Sequence, residues 1–309
     1  MKQWLASRIG LLAAAGALAF VLGCSPGAQP AQPAAGPGAE TPKAETPKYG
    51  GVLELTQTAT PADTDVNMYS CCPAYWPLAS NRLIDSNPYN LELKPALLEK
   101  WTLASDGLSY EFKVRQGVKY QNVPPVNGRE MTAEDIAFNL RRAAGMENPK
   151  NLSITNWPRA SILGAMKDAV ATDKSTVKVT LKQPDAGFIV GVADFRNMVF
   201  APEVVKQYGD LRNTEKATIG VGPFILTKWQ SGVVTEFKKN PDYWQKDEQG
   251  NALPYLDGVR YTIIPDKNTT MAALRTKQID LWVGGVPQNH EDLKKTNPEL
   301  QWHMSLGGC

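Results

Sequence analysis

Apolar and polar residues alternate along residues 109–115, where Tyr110, Phe112 and Val114 fall on one side and charged residues fall on the other. A repeat of two is that of a β-strand with one buried face and one wet face. The preceding residues 105–107, Ser-Asp-Gly, are a turn signal. The pattern therefore predicts a turn that leads into a half-buried strand.

The period then changes to that of a helix. Ile136, Leu140 and Ala144 recur every four residues, which places them in one apolar stripe. Residues 132–135 read Thr-Ala-Glu-Asp, a start similar to a capping box, with two acids where the helix dipole favours them. Together with the strand, this predicts a turn, strand, loop and helix module of a soluble α/β domain.

The second half of the chain repeats both periods. Val177, Val179 and Leu181 alternate with polar residues, and Pro184 ends this predicted strand. Further predicted strands are residues 52–56, 233–237, 259–264 and 279–282, and further predicted helices are residues 202–209 and a helix capped by Asn268 or Thr269 that runs to Lys277.

The first residues have the pattern of a targeting segment. Lys2 and Arg8 precede an apolar stretch, residues 9–22, that is too short for a convincing membrane span. A small residue followed by Cys24 resembles a bacterial lipobox, so we predict removal of residues 1–23 and a lipid on Cys24. The alternative is an ordinary signal peptide with an incidental cysteine.

Residues 24–48 after the cut are rich in Pro, Ala and Gly and hold no aromatic residue. Such a segment cannot bury enough surface to fold, and its prolines favour an extended tether. Without residues 1–23 the chain keeps 31 of its 33 basic residues and all 31 acidic ones. A formally neutral chain excludes the basic excess of a nucleic-acid-binding protein, so no nucleic-acid partner is expected.

Two further motifs lie in the second half. Residues 220–224 read Gly-Val-Gly-Pro-Phe; they lack the Lys of a phosphate loop, and Pro223 removes an N–H, so they predict a tight turn before a strand. Residues 240–244 read Asn-Pro-Asp-Tyr-Trp, which predicts an Asx turn that seats two aromatic rings. Adjacent Cys71 and Cys72 lack the spacing of a metal site, and we predict neither a metal nor a cofactor.

The order of residues between positions 91 and 142 resembles that of the family 5 extracellular solute-binding proteins. These are the peptide- and nickel-type receptors of ATP-binding cassette importers. The motif at residues 220–224, the motif at 240–244 and the Ile279-Asp280 pair extend the resemblance. The matching positions in the first stretch are Pro95, Leu98, Glu99, Trp101, Asp106, Gly107, Tyr110, Phe112, Arg115, Gly117, Val118, Lys119, Gly128, Thr132, Ala133, Glu134, Asp135 and Arg142.

The resemblance implies an α/β fold of the periplasmic-binding-protein-like type II, with two lobes and an inserted smaller domain. It implies a discontinuous first lobe, residues 49–85 and 188–282, interrupted by the inserted domain, residues 86–187. Residues 283–309 would begin a second lobe. Relatives are considerably longer, so we expect the chain to be truncated before that lobe is complete, as a fragment of a receptor.

The function implied is that of a lipid-anchored extracytoplasmic receptor that captures a small ligand and delivers it to an importer. A peptide is the leading ligand, with a nickel complex, haem or an oligosaccharide as alternatives. The implied partners are the permease and ATPase subunits and, through Cys24, the membrane. A secreted enzyme and a surface adhesion module are alternatives from other classes, but no nucleophile elbow or HExxH motif is present, and we predict no enzyme.

Candidate ligand-binding residues follow from the same resemblance. The aromatic-rich stretch after the first strand would form a wall of the cleft between the lobes, although its rings could equally pack inward. Residues near position 283 would lie at the hinge. The candidates are Tyr69, Tyr75, Trp76 and Asn81 from the wall, and Trp282 and Gln288 from the hinge side.

Overall fold

The computed structural model describes residues 46–60, 65–67, 75–87, 90, 92–147, 160–209, 211, 214–283 and 286–302. The predictions for residues 1–45, for Tyr69 and for the Cys71–Cys72 pair lie outside these ranges. The elements in chain order are β1 (Val52–Gln57), α1 (Trp76–Ala79), β2 (Ile84–Ser86), β3 (Leu93–Pro95), β4 (Leu98–Leu103), β5 (Ser109–Val114), α2 (Ala133–Ala143), β6 (Met166–Asp173), β7 (Thr176–Leu181), α3 (Phe188–Val192), α4 (Pro202–Tyr208), α5 (Thr214–Ala217), β8 (Phe224–Gln230), β9 (Val234–Lys239), β10 (Gly258–Ile263), α6 (Lys267–Arg275) and α7 (Pro287–Thr296).

The first sheet joins the start of the described chain to its later half, in the order β1-β10-β9-β8. β1 runs parallel to β10, and β9 is antiparallel to both of its neighbours. Its inner face is apolar because every second side chain points to the same side. That face is closed by a cluster of buried residues, Leu55, Tyr75, Phe224, Phe237, Val259 and Tyr261.

The second sheet, in the order β4-β5-β7-β6, is antiparallel throughout. It confirms the predicted alternation, because Tyr110, Phe112 and Val114 are buried whereas Glu111 and Lys113 between them are exposed. The strand ends at Val114, one residue earlier than predicted. β7 confirms the second alternating strand in the same way. Helix α2 covers this sheet and packs on β6 and β7.

Helix α2 begins as its sequence predicts. Asp135 accepts a hydrogen bond from the backbone N–H of Thr132 at 2.8 Å, which completes a capping box. The Asp135 carboxylate also accepts hydrogen bonds from both terminal nitrogens of Arg129 at 2.8 Å. Arg129 donates in addition to the carboxylate of Glu203, in the first turn of α4. This hydrogen bonding by Arg129 holds the pKa of the Glu203 carboxyl below its usual range. The cap thus joins two helices as well as starting one.

The turn at residues 220–224 packs against the end of α1. A Cβ placed on Gly222 would lie 2.5 Å from the carbonyl oxygen of Leu78, and one on Gly220 would lie 2.5 Å from that of Ala79. The Gly222 N–H donates to the Ala79 carbonyl at 3.0 Å. The prediction of a tight strand-entry turn is confirmed, and the glycines serve the close approach of two backbones.

The motif at residues 240–244 confirms its predicted turn. The Asn240 side chain accepts a hydrogen bond from the Asp242 N–H at 3.2 Å and donates to the Gly222 carbonyl at 2.9 Å. Trp244 donates its ring N–H to Asn81 at 3.2 Å, and the guanidinium carbon of Arg115 lies 4.8 Å from the Trp244 ring centroid. The motif therefore links the end of the first sheet to Asn81 and to Arg115, which directly follows β5 of the second sheet.

The largest hydrophobic core runs through residues on both sides of the predicted domain boundaries. It contains Phe112 and Val177 from the second sheet together with Val199, Ile219 and Val221. The buried ion pair of Arg142 and Asp65 also joins the two predicted domains, and both side chains are no more than 1% exposed. The first sheet does lie in segments 49–85 and 188–282 and the second in 86–187, but the domain boundaries themselves stay a prediction.

Two local predictions near the end of the first sheet are wrong. Asp266, and not Asn268 or Thr269, caps α6, because its carboxylate accepts the Thr269 N–H at 2.8 Å. Residues 279–282 form no full strand; Leu281 makes one isolated parallel bridge to Leu55. In the described ranges, none of the helices combines the length and apolar character needed to cross a membrane.

Candidate functional site

The candidate site lies where the two parallel strands of the first sheet, β1 and β10, end. Gln57 at the end of β1 lies opposite Ile263 at the end of β10, so both strands finish on one edge of the sheet. The turn between β8 and β9 lies on the same edge, since Gln230 pairs with Val234. We call this the carboxyl edge. Ligands of open α/β sheets bind outside the carboxyl ends of the strands, where neighbouring connections diverge.

Hydrogen bonds from backbone N–H groups hold three segments at or near the carboxyl edge. The Gly232 N–H donates to the Thr60 hydroxyl at 2.7 Å and fixes the chain after β1 over the β8–β9 turn. Asp280 accepts the Glu54 N–H at 2.8 Å through its carboxylate and donates its own N–H to the Glu54 carbonyl at 2.8 Å. The chain that leaves the sheet after Leu281 is therefore anchored to β1.

Helix α6 begins directly after β10 on this edge. Its cap, Asp266, accepts hydrogen bonds from the backbone and side chain of Thr269, which lower the pKa of the Asp266 carboxyl. Tyr261, below the edge in the inner face, has its pKa raised to about 12 by burial. Near neutral pH the cap is therefore ionised and the tyrosine neutral.

The carboxyl edge exposes apolar side chains beside polar atoms that are not paired. Val233 is 47% exposed, and Val283, two residues after the bridge at Leu281, is 78% exposed. Thr56 Oγ1 and Gln57 Oε1, at the last two positions of β1, are enclosed and have no hydrogen-bond partner among the residues that the structure describes. An enclosed polar atom without a partner costs about 1–3 kcal/mol. Thr56 and Gln57 are neighbours on one strand, so their side chains point to opposite faces of the sheet.

Tyr75 and Trp76, two predicted wall residues, lie in the protein interior. Tyr75 is 1% exposed and makes edge-to-face contacts with Trp229 and Tyr261 at centroid distances of 5.6 and 5.8 Å. Trp76 is 2% exposed and belongs to the largest core. The two side chains thus pack into different cores and stabilise the fold; a role in contacting a ligand stays a prediction.

The other predicted residues occupy two further places. Asn81 holds the motif at residues 240–244 by donating to the Tyr243 hydroxyl at 3.0 Å and accepting from Trp244. Trp282 is partly exposed after Leu281 and packs on the small core between α6 and α7. Gln288 is exposed in the first turn of α7, 3.4 Å from Asp292. The described candidates therefore do not form one cluster, and only Trp282 adjoins the carboxyl edge.

Thr56, Gln57, Thr60 and Val233 were missed by the sequence reasoning. None of the four belongs to a sequence motif, and the predicted wall residues came from the aromatic-rich stretch that follows the first strand. The one available signal was position, since the rule for open α/β sheets points to the end of the first strand. The described residues contain no group of three or more His, Cys, Asp or Glu side chains able to hold a metal ion.

A family model for the bacterial extracellular solute-binding proteins, family 5 Middle, matches residues 92–306. This span is more than half of the chain. The chain belongs to the family 5 solute-binding proteins. Proteins of this family are transport receptors and not enzymes, in agreement with the prediction from the sequence.

Individual relatives of this family 5 protein give the same result. The chain is 27% identical over 261 residues to a probable di/tripeptide-binding protein 5 of Pseudomonas aeruginosa (strain UCBPP-PA14), with 81% of the chain and 48% of the relative covered. It is 32% identical over 212 residues to a glutathione-binding protein, GsiB, of Salmonella typhi, with 69% and 38% covered. The chain thus spans less than half the length of these two curated relatives.

The fold of this family 5 protein is that of solved periplasmic binding proteins. The described architecture matches the periplasmic binding protein DppA from Helicobacter pylori, in complex with the peptide STSA, with a TM-score of 0.66 and 26% identity. The match covers 81% of this chain and 50% of that one. The predicted mixed α/β fold of the two-lobed binding proteins is confirmed.

Proposed function

We propose that this chain supplies the first lobe of an extracytoplasmic receptor that captures a small peptide and delivers it to an ATP-binding cassette importer. The carboxyl edge would be the face that meets the ligand. The observation that carries the proposal is the edge itself, where the parallel strands β1 and β10 end beside the β8–β9 turn and where Val233 and Val283 are exposed. Ligands of open α/β sheets bind at such an edge, and a peptide offers apolar side chains to such a surface.

The relatives support a peptide as the ligand. The names of the two curated relatives refer to di- and tripeptides and to glutathione, which is itself a tripeptide. The DppA structure holds the peptide STSA. Delivery to permease and ATPase subunits follows from the same family, and a second lobe would close over the carboxyl edge by a hinge motion.

Titration calorimetry on the receptor expressed from its whole reading frame, without residues 1–24, tests peptide capture. Dipeptides, tripeptides and glutathione serve as ligands. We expect one-to-one binding of at least one of them with a dissociation constant near or below about 10 µM, equivalent to roughly −7 kcal/mol. Absence of binding at millimolar peptide, or hydrolysis of the peptide by the protein, would contradict the proposal.

A matched pair of variants locates the site. Val283→Asp puts a charge on the carboxyl edge and is expected to weaken peptide binding at least tenfold. Val190→Asp, on α3, changes an equally apolar side chain that is 59% exposed and should leave the affinity unchanged. Equal affinities of the two variants would place the peptide elsewhere.

We also propose that the receptor is held at the membrane through a lipid on Cys24. The support is the order of positive residues, a short apolar stretch and a small residue before Cys24. Cells fed radiolabelled palmitate should label the wild-type protein and leave Cys24→Ala unlabelled. A wild-type protein without label would show that Cys24 is not acylated.

A further inference from the structure

Trp229 brings a hydrogen-bond donor to the carboxyl edge. It is the last residue but one of β8, and it pairs with Thr235 where β8 and β9 approach their turn. A strand advances about 3.3 Å per residue, so Trp229 lies within about one residue of the end of the sheet. The ligand-binding residues predicted from the sequence did not include it.

The ring of Trp229 is held by the inner face of the first sheet. It meets the buried Tyr75 ring edge to face, with the centroids 5.6 Å apart and an angle of 88° between the planes. Trp229 packs on the cluster that contains Phe237 and Tyr261, but it is itself only partly buried. A side chain that is already held by packing loses little conformational freedom on binding, so its polar atom is a preorganised contact.

The indole N–H of Trp229 donates to no acceptor in the part of the chain that the structure describes. Trp244 differs in this respect, because its N–H donates to Asn81 at 3.2 Å. Tryptophan rings that pack into a protein usually direct this N–H at an acceptor, and the N–H group can only donate. Trp229 therefore has one donor to offer to a group from outside the described chain.

A solute on the carboxyl edge would lie close to this donor. The Gly232 N–H donates to the Thr60 hydroxyl at 2.7 Å, so the chain after β1 reaches the turn that directly follows β8. Val233, in the same turn, is 47% exposed. The end of β8 and its turn thus combine an apolar side chain with a hydrogen-bond donor. A peptide matches both, because it carries apolar side chains and a carbonyl oxygen in each main-chain amide.

We propose that the indole N–H of Trp229 donates a hydrogen bond to a main-chain carbonyl oxygen of the bound peptide, while the ring keeps its packing on Tyr75. The inference rests on the proposed function and names a specificity-determining residue for it. A solute of similar apolar bulk without an amide carbonyl would leave this donor without an acceptor, and the receptor would discriminate against it.

The indole N–H signals in proton–nitrogen NMR spectra test the contact. The receptor expressed from its whole reading frame, without residues 1–24, is titrated with glutathione, Ala-Phe and Ala-Leu-Ala. We expect the Trp229 signal, assigned by its loss in Trp229→Phe, to shift to saturation with at least one of these peptides. The Trp244 signal should stay in place, because Trp244 lies in the connection from β9 to β10, at the opposite edge of the sheet.

Two matched variants measure the contribution of the donor. Trp229→Phe removes the N–H and keeps an aromatic ring against Tyr75, so we expect calorimetry to show at least threefold weaker binding of the same peptide with little change in the melting temperature. Trp244→Phe removes an indole N–H at the opposite edge and should leave the affinity unchanged.

The outcomes separate this inference from the proposed function. A peptide that binds while the Trp229 signal stays in place, or equal affinities of the two variants, would overturn the role of Trp229 and leave peptide capture standing. Absence of binding by all three peptides would overturn both.

Discussion

Replacing Gly222 by alanine is expected to destabilise the chain by at least about 3 kcal/mol, or to prevent its folding. The added Cβ meets main-chain atoms of Leu78, Ala79 and Ser80, which cannot turn away as a side chain could. Relief would require separation of the strand-entry turn from α1. That separation would also lengthen the bond between Gly222 N and the Ala79 carbonyl. Urea unfolding measures the loss directly.

Gly232→Ala is the matched control for this prediction. Gly232 has a φ of +74°, and nothing lies within 4 Å of a Cβ placed on it. Its substitution therefore costs only the left-handed backbone strain, about 1–2 kcal/mol. A Gly222→Ala variant that is no less stable than Gly232→Ala would show that the two backbones can move apart.

Removal of the Arg142 guanidinium is expected to cause the second large loss of stability. Arg142 makes a bidentate contact with Asp65, and its side chain and that of Asp65 are 1% and 0% exposed. The Asp65 carboxylate also accepts N–H bonds from Asn67 and Leu211 at 3.1 Å. Arg142→Met leaves this carboxylate buried without its cation, and we expect a loss of about 3–5 kcal/mol.

A double-mutant cycle separates the ion pair from its surroundings. Asp65→Leu combined with Arg142→Met removes both charges and should recover part of the loss. Recovery stays incomplete because the Asn67 and Leu211 N–H groups lose their acceptor, at about 1–3 kcal/mol for each. Glu111→Gln, in an exposed pair with Lys113, should change stability by less than about 1 kcal/mol. Additive single losses would mean that the buried pair is not coupled.

Local signals in the sequence predicted local structure well. The alternation in β5 and β7 and the capping box of α2 each depend on residues a few positions apart, and the structure confirms them. The turns at residues 220–224 and 240–244 were also recognisable from their own residues. The strand alternation, the capping box and the Asx turn each rest on contacts within the motif, whereas the glycines of residues 220–224 also meet the distant residues Leu78 and Ala79.

Long-range contacts explain the features that the sequence did not show. The Arg142–Asp65 pair joins residues 77 positions apart, and no periodicity marks either one. Tyr75 and Trp76 could have faced a cleft or a core, and the packing of the first sheet and the main core decides between these orientations. The carboxyl edge was missed because it exists only once β1 is paired with β10, some 200 residues later. Its polar atoms are ordinary Thr and Gln side chains without that pairing.

Hydrogen–deuterium exchange with and without a saturating peptide ligand tests the central claim, that the carboxyl edge meets the solute. The account predicts slower exchange at residues 56–60, 230–233 and 281–283, whereas residues 241–257 at the opposite edge should be unchanged. A bound peptide that leaves those three segments unprotected, while it protects other parts of the chain, would contradict the claim.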